Sequence, residues 1–404
     1  MGYTGLYLGP VFDSTSHGYD TRDYFKIDPR IGTNDEFKIF VREANARDIR
    51  VILDGVFNHV GRDFPFFQEL QRKGLDSEYL DWFADIDFSQ SSPLGDSFTY
   101  RPWNSHYTLV SLNQKSPRVR EYLFRAIKFW VDEFRISGLR LDAADCLEPD
   151  FLKALSIFCK GLSPGFWLMG EVIHGDYRDW VNPDMLHSVT NYEVYKGLWS
   201  SHNDLNYFEL AHSLNRQFGP EGIYRGMDLY NFSDNHDVER IGSILKDPSH
   251  LYPLTILLFT IPGHPSTYYG SEWAIEGKKN PQNDDSLRPN WDQGWQKTAP
   301  HRDLEQTIRS LISLRKTRSD LTWGEYSEVL VDSRVFVFRR GNCVIGVNSQ
   351  AEPVSITLPA SVFGNRNRWH DHLKGVPSFQ VEGETVEITI PGNWGFLLEQ
   401  TTGL

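Results

Sequence analysis

Gly138-Leu139-Arg140-Leu141-Asp142-Ala143-Ala144-Asp145 is a short apolar run that closes on a carboxylate, with an arginine two residues before it. An α/β barrel presents a nucleophile in this way, at the C-terminal end of a buried strand. Asp142 is therefore the candidate nucleophile, and Arg140, on the same side of the strand, is placed to hold its charge. Two further carboxylates close similar runs. Phe166-Trp167-Leu168-Met169-Gly170 leads into Glu171, and Leu229-Tyr230-Asn231-Phe232-Ser233-Asp234-Asn235-His236 leads into Asp237. Cleavage of a glycosidic bond needs two carboxyl groups flanking it, and a third can orient the sugar. A lone Asp or Glu is most often a solvated surface charge; three at the ends of separate strands point to a site.

Asp54-Gly55-Val56-Phe57-Asn58-His59 lies upstream. In order and spacing, the four stretches resemble the signature regions of glycoside hydrolase family 13, the α-amylase family. The resemblance implies that Asp142 attacks the anomeric carbon of an α-linked glucose. Glu171 then protonates the leaving oxygen and later activates water, and Asp237 grips sugar hydroxyls. It also implies that Asp54 supports Arg140 and the nucleophile, that His59 and His236 donate hydrogen bonds to the sugar ring, and that Tyr19, in His17-Gly18-Tyr19-Asp20-Thr21-Arg22-Asp23-Tyr24, stacks on the sugar at the cleavage site.

Some positions depart from the family pattern. Ser16 stands where enzymes that trim single glucoses carry an aspartate, which disfavours a strict exo-glucosidase. Asn58 matches a calcium-ligand position, but Asp145 and Cys146 replace the lysine-histidine pair of many secreted amylases. No cofactor is therefore expected to be required, with calcium as an optional ion. Together with Glu171-Val172-Ile173-His174, these residues look like the neopullulanase and cyclomaltodextrinase side of the family, without its N-terminal module.

Working outward, Thr4 to Leu8, Arg50 to Leu53, the two runs before Asp142 and Glu171, Ser188 to Tyr192, Tyr230 to Asn235 and Ser266 to Tyr269 read as strands, alternating with helices as a parallel barrel requires. Family members carry one more strand and helix first, so seven strands are found where a closed (β/α)8 barrel needs eight. Asn34 is the expected cap of a helix whose apolar face is Phe37, Phe40, Val41 and Ala44. Ser116-Pro117 opens another, with the stripe Val119, Tyr122, Leu123, Ala126, Ile127, Trp130, Val131 and Phe134. The expected organisation is an α/β TIM-type catalytic barrel over 1–60 and 117–321, and an inserted domain over 61–116 offering Trp103, His106 and Tyr107 as sugar contacts. An antiparallel β-sandwich over 322–404 follows, with Gly341-Asn342 as a hairpin turn.

The whole chain sets wider limits. A formal charge of −13 over 404 residues argues against nucleic acid or an anionic membrane as partner. The three cysteines show no metal or disulfide spacing, which fits a cytoplasmic setting. No apolar run reaches membrane-spanning length, Leu254 to Ile261 being too short. The expected activity is retaining hydrolysis of α-1,4-glucans, with maltodextrins, cyclodextrins or pullulan as substrates. A transglycosylase using the same covalent intermediate, and a non-catalytic glucan-binding protein with an incomplete barrel, are the alternatives. A homodimer covering the open barrel edge is the expected assembly.

Overall fold

A computed structural model describes residues 1–280, 283–292, 294–364 and 368–400. These fall into two compact units, Tyr3–Val189 and, with Met1–Gly2, the chain from Thr190 onward.

The first unit is built on five parallel strands in the order of the chain: β1 (Gly5–Leu8), β2 (Arg50–Gly55), β3 (Gly138–Leu141), β4 (Trp167–Gly170) and β5 (Ser188–Val189). All four residues of β3 are buried. Burial at every position, with Arg140 paired to carboxylates on neighbouring strands, is what a parallel strand covered on both faces requires. Gly138 lets β4 approach, since a Cβ there would lie 2.5 Å from the Trp167 carbonyl oxygen. The register pairs Asp54 with Arg140 and Leu141 with Gly170, so the polar ends of β2, β3 and β4 come level.

One helix cap differs from expectation. The helix Asn34–Asn45 is capped by Thr33, whose hydroxyl accepts from the Glu36 N–H while Glu36 reaches back, a capping box. Asn34 instead ties Ile27 N–H to the Phe25 carbonyl. On its apolar face Phe37, Val41 and Ala44 are buried, but Phe40 is exposed. In the helix Pro117–Phe129, which ends in a wider turn over Trp130–Phe134, the expected stripe is buried except for half-buried Tyr122 and Val131. Ser116 precedes it as the N-cap residue with Pro117 at the first helical position, as expected, but its hydroxyl donates to Asp81 instead of accepting from the helix backbone. Between β2 and β3, an antiparallel sheet joins His59–Gly61, His106–Ser111 and Pro102–Trp103. In the same insertion Phe67 packs edge-on against Phe83, Phe98 and Tyr100, and Tyr100 Oη donates to the Tyr107 carbonyl of the sheet at 2.6 Å.

In the second unit, β6 (Tyr230–Asn231) pairs in parallel with β7 (His264–Pro265). Thr190 bridges to Tyr230. The last strand thus lies just before the expected Ser266 to Tyr269, and the expected run to Tyr192 stops early because Tyr192 opens a helix capped by Asn191. Among the described residues, the seven strands form sheets of five and two rather than a ring of eight. The chain from Tyr326 onward is antiparallel: a six-stranded sheet and the pair Val354–Pro359 and Thr385–Ile390 enclose a core that includes Val335, Val337, Ile388, Phe396 and Leu398. Gly341-Asn342 is the two-residue turn joining Arg340 to Cys343, with Gly341 at φ 55°.

Candidate active site

Beyond the last ladder pairs of β2, β3 and β4 the backbone keeps bonding in register. Asp142 N–H donates to the Gly55 carbonyl at 3.2 Å, Glu171 N–H to the Leu141 carbonyl at 2.9 Å, and Ala144 N–H to the Glu171 carbonyl at 3.0 Å. Ala143 turns the chain with φ 44°. Non-glycine residues rarely take that conformation, and when they do the surrounding structure holds them. The carboxylates of Asp142 and Glu171 are thus fixed by main-chain bonds at the ends of two neighbouring strands.

Arg140 is the centre of the arrangement. Its Nη1 donates to Asp54 Oδ1 and Oδ2, both at 2.8 Å, and to Asp142 Oδ1 at 2.9 Å, while Nη2 lies 2.7 Å from Glu171 Oε2. Glu171 Oε2 also accepts the Ala143 N–H at 3.2 Å. The Arg140 side chain is 3% exposed, Asp54 0%, Asp142 9% and Glu171 14%. Accessibility increases toward the two residues expected to meet substrate. Tyr7 and Tyr19 both donate to Asp54 Oδ2, at 2.9 and 3.1 Å, and the Tyr7 ring lies beside the Arg140 guanidinium. Asp54 is the buried support; it is saturated by protein.

One guanidinium shared among three carboxylates leaves the cluster with excess negative charge when all are ionised. Burial pushes Asp142 well above the usual carboxylate range, with Arg140 opposing and the charges of Asp54 and Glu171 adding to the rise. Asp54 is raised for the same first reason. Asp54 and Asp142 therefore hold a proton more readily than isolated carboxylates do, and they titrate together. Tyr19, half-buried beside Asp54, is held firmly in its neutral, donating form by burial and that charge.

His59 is 1% exposed, and burial lowers its pKa to about 4, so the ring is neutral at pH 7. Nδ1 lies 3.2 Å from Asn58 Nδ2, while Nε2 is buried without a hydrogen-bond partner among the described residues. The Trp103 ring lies 5.1 Å from the His59 ring and is half-buried; His106 is exposed. Asn58 does not fit a calcium site well. Its side chain is turned to His59, its carbonyl accepts from Leu112, and no three His, Cys, Asp or Glu side chains among the described residues gather to hold a metal. Calcium takes six to eight oxygens, several from carboxylates.

In the second unit, Asp237 stands in its own network. Its Oδ1 accepts from Arg288 Nη2 at 2.9 Å, Oδ2 lies 3.1 Å from His236 Nε2, and its N–H donates to Asn235 Oδ1 at 2.8 Å. Arg288 also bonds the His236 carbonyl and Asp284. Tyr7 and Arg288 did not emerge from the sequence. The only signal for Tyr7 was an aromatic polar tip inside an apolar strand, and Arg288 lies in an irregular loop 51 residues from its partner.

The alpha amylase catalytic domain family matches residues 1–329, and the chain belongs to that family. It is a glycoside hydrolase. The cyclomaltodextrinase of Geobacillus thermopakistaniensis (strain MAS1) is 30% identical over 411 residues, covering 98% of this chain and 67% of its own length. Neopullulanase 2 of Thermoactinomyces vulgaris is 31% identical over 411 residues, covering 98% and 68%. The solved debranching enzyme of Nostoc punctiforme is 28% identical and superposes with a TM-score of 0.81 over 99% of this chain and 86% of that one. The chain spans about two thirds of the length of the two named relatives. These matches imply a TIM-type barrel with a C-terminal β domain. Among the described residues no helix is long and apolar enough to cross a membrane.

Proposed function

We propose that this chain hydrolyses α-1,4-glucans with retention of configuration, taking maltodextrins, cyclodextrins or pullulan. The observation that carries this reading is the Arg140 guanidinium held between Asp54, Asp142 and Glu171. Asp142 is the nucleophile and forms the covalent glycosyl-enzyme. Glu171 donates a proton to the departing oxygen, then takes one from water. Two carboxyls anchored on neighbouring nitrogens of one guanidinium support the close pairing of retaining enzymes, about 5–5.5 Å. Asp237 and His236 grip sugar hydroxyls, Tyr19 stacks on the ring, and the neutral His59 supplies a further hydrogen bond. Asp54 keeps Arg140 in place.

Reducing-sugar release from maltoheptaose and β-cyclodextrin tests the reading. Activity in the wild type and its loss by at least 10³-fold in Glu171→Gln is expected, with the α-anomer as first product by proton NMR; that loss matches a missing general acid combined with a lost second step (~10²–10⁴ each). A β-anomer would overturn retention.

The barrel and inserted and C-terminal domains divide at 60/61, 116/117 and 321/322, and the chain works in the cytoplasm, supported by three free cysteines. It forms a homodimer through β1, the strand at one end of the five-stranded sheet order, where Gly5 and Leu6 are exposed. A monomeric mass by light scattering would refute the dimer.

A further inference from the structure

Arg240 is 0% exposed, yet it lies three residues from Asp237. A fully buried arginine is costly unless its donors are satisfied. Its Nε donates to the Leu287 carbonyl at 3.0 Å, its Nη1 to the Tyr269 carbonyl, and its backbone N–H to the Gly277 carbonyl at 3.0 Å. The guanidinium carbon lies 4.0 Å from the Tyr268 ring centre and 4.8 Å from that of Tyr269. Nη2 has no hydrogen-bond partner among the described residues, so the tyrosine faces are its compensation. Tyr269 Oη in turn donates to the Pro289 carbonyl at 2.7 Å. The carbonyls on either side of Arg288 are thus both pinned, one by Arg240 and one by the tyrosine that Arg240 holds. Arg288 then bonds Asp237 Oδ1.

The described residues between Ala274 and Gly294 contain no helix or strand, and around Arg288 only Leu287 is buried. Such a segment has little of its own to fix it. We infer that Arg240 is a positioning residue for the glucan-cleaving reaction: by bracketing Leu287–Pro289 it sets Arg288, and through Arg288 the orientation of Asp237. This inference rests on the proposed role of Asp237. Arg240→Lys keeps the charge but loses the fork that reaches two carbonyls at once.

The test combines a substrate-free measurement with a kinetic cycle. Hydrogen exchange in Arg240→Lys is expected to rise at least tenfold in peptides covering 283–292, with the strands of the C-terminal sheet unchanged. Unchanged exchange there would overturn the bracket, whatever the activity. With maltoheptaose, Arg240→Lys is expected to lower kcat/KM 10- to 100-fold in the wild-type background but less than twofold in Arg288→Ala, because the path to Asp237 is already cut. Losses that multiply independently, or a single-variant loss below twofold, would overturn the inference. If Arg240→Lys fails to fold, Tyr269→Phe removes only the Pro289 pin and is read by the same cycle. A wild type silent on maltoheptaose would refute the proposed hydrolase, and the exchange measurement would still decide the bracket.

Discussion

The balance at Arg140 is one of charge count. Two carboxylates are held above their ordinary range by burial, and the guanidinium is what opposes that rise. Arg140→Met removes the cation and leaves three carboxyl groups facing each other out of water. Breaking a buried pair in this way costs about 3–5 kcal/mol. A carboxylate whose folded pKa is raised contributes stability below its unfolded pKa that is lost as pH rises through the folded value. The variant should therefore be less stable at pH 7 than at pH 5 by urea unfolding, and inactive at both. A variant with the wild-type midpoint at pH 7 would show that the cluster is not the buried, shared network described. The link from Arg140 to Asp142 was legible in sequence, because residues two apart in a strand share a face. The reach from Arg140 to Glu171 was not, since it crosses between strands, and no spacing within one strand encodes a neighbour. The same holds for Arg288 and Asp237, whose meeting depends on how an irregular loop is pinned.

At the level of elements, strands stood out where they were fully apolar and blurred where only two residues pair. β3 and β4 were readable almost to the residue, whereas β7 lies just ahead of the expected stretch because its pairing falls on His264 and Pro265, which carry no strand pattern. The cap at Thr33 was missed for a local reason: Asn34 is also a capping residue type, and only the reciprocal bond with Glu36 decides between them. Gly138 shows how an element sets the site. In Gly138→Ala the new Cβ would meet the Trp167 carbonyl at 2.5 Å, so β3 and β4 must separate where they carry Asp142 and Glu171. Overpacking of this kind costs about 1–3 kcal/mol. Activity should fall more than stability, since a shift near 1 Å in reacting groups costs about 10²-fold. Urea unfolding and initial rates on maltoheptaose, measured together, check this; a full-rate Gly138→Ala would mean that the spacing of the two strands does not control the chemistry.

For the whole molecule, acid should loosen each unit through a histidine buried in its neutral form. His59 belongs to the first unit and His202 to the second. His202 is fully buried, its Nδ1 donates to the Leu198 carbonyl at 2.6 Å and its Nε2 accepts from Tyr207 Oη at 3.0 Å, so neither nitrogen has room for a second proton. Burial first, and the neighbouring His250 next, bring its pKa down to about 3. The unfolded chain binds that proton near the ordinary value of about 6.5, while the folded chain refuses it until far lower pH. Stability is therefore lost as pH falls below the unfolded value, by about 2 kcal/mol between pH 7 and pH 5 for this one group. Because the carboxylate cluster works in the opposite direction over part of that range, the wild-type profile alone does not isolate the effect; the difference from His202→Gln does. That variant is expected to start about 1–2 kcal/mol less stable at pH 7, having lost a buried hydrogen bond. The gap should close or reverse by pH 5 in urea unfolding followed by circular dichroism. Parallel profiles for the two proteins would mean that His202 takes up its proton in the folded state as easily as in the unfolded one, and that the acid response of the second unit lies elsewhere.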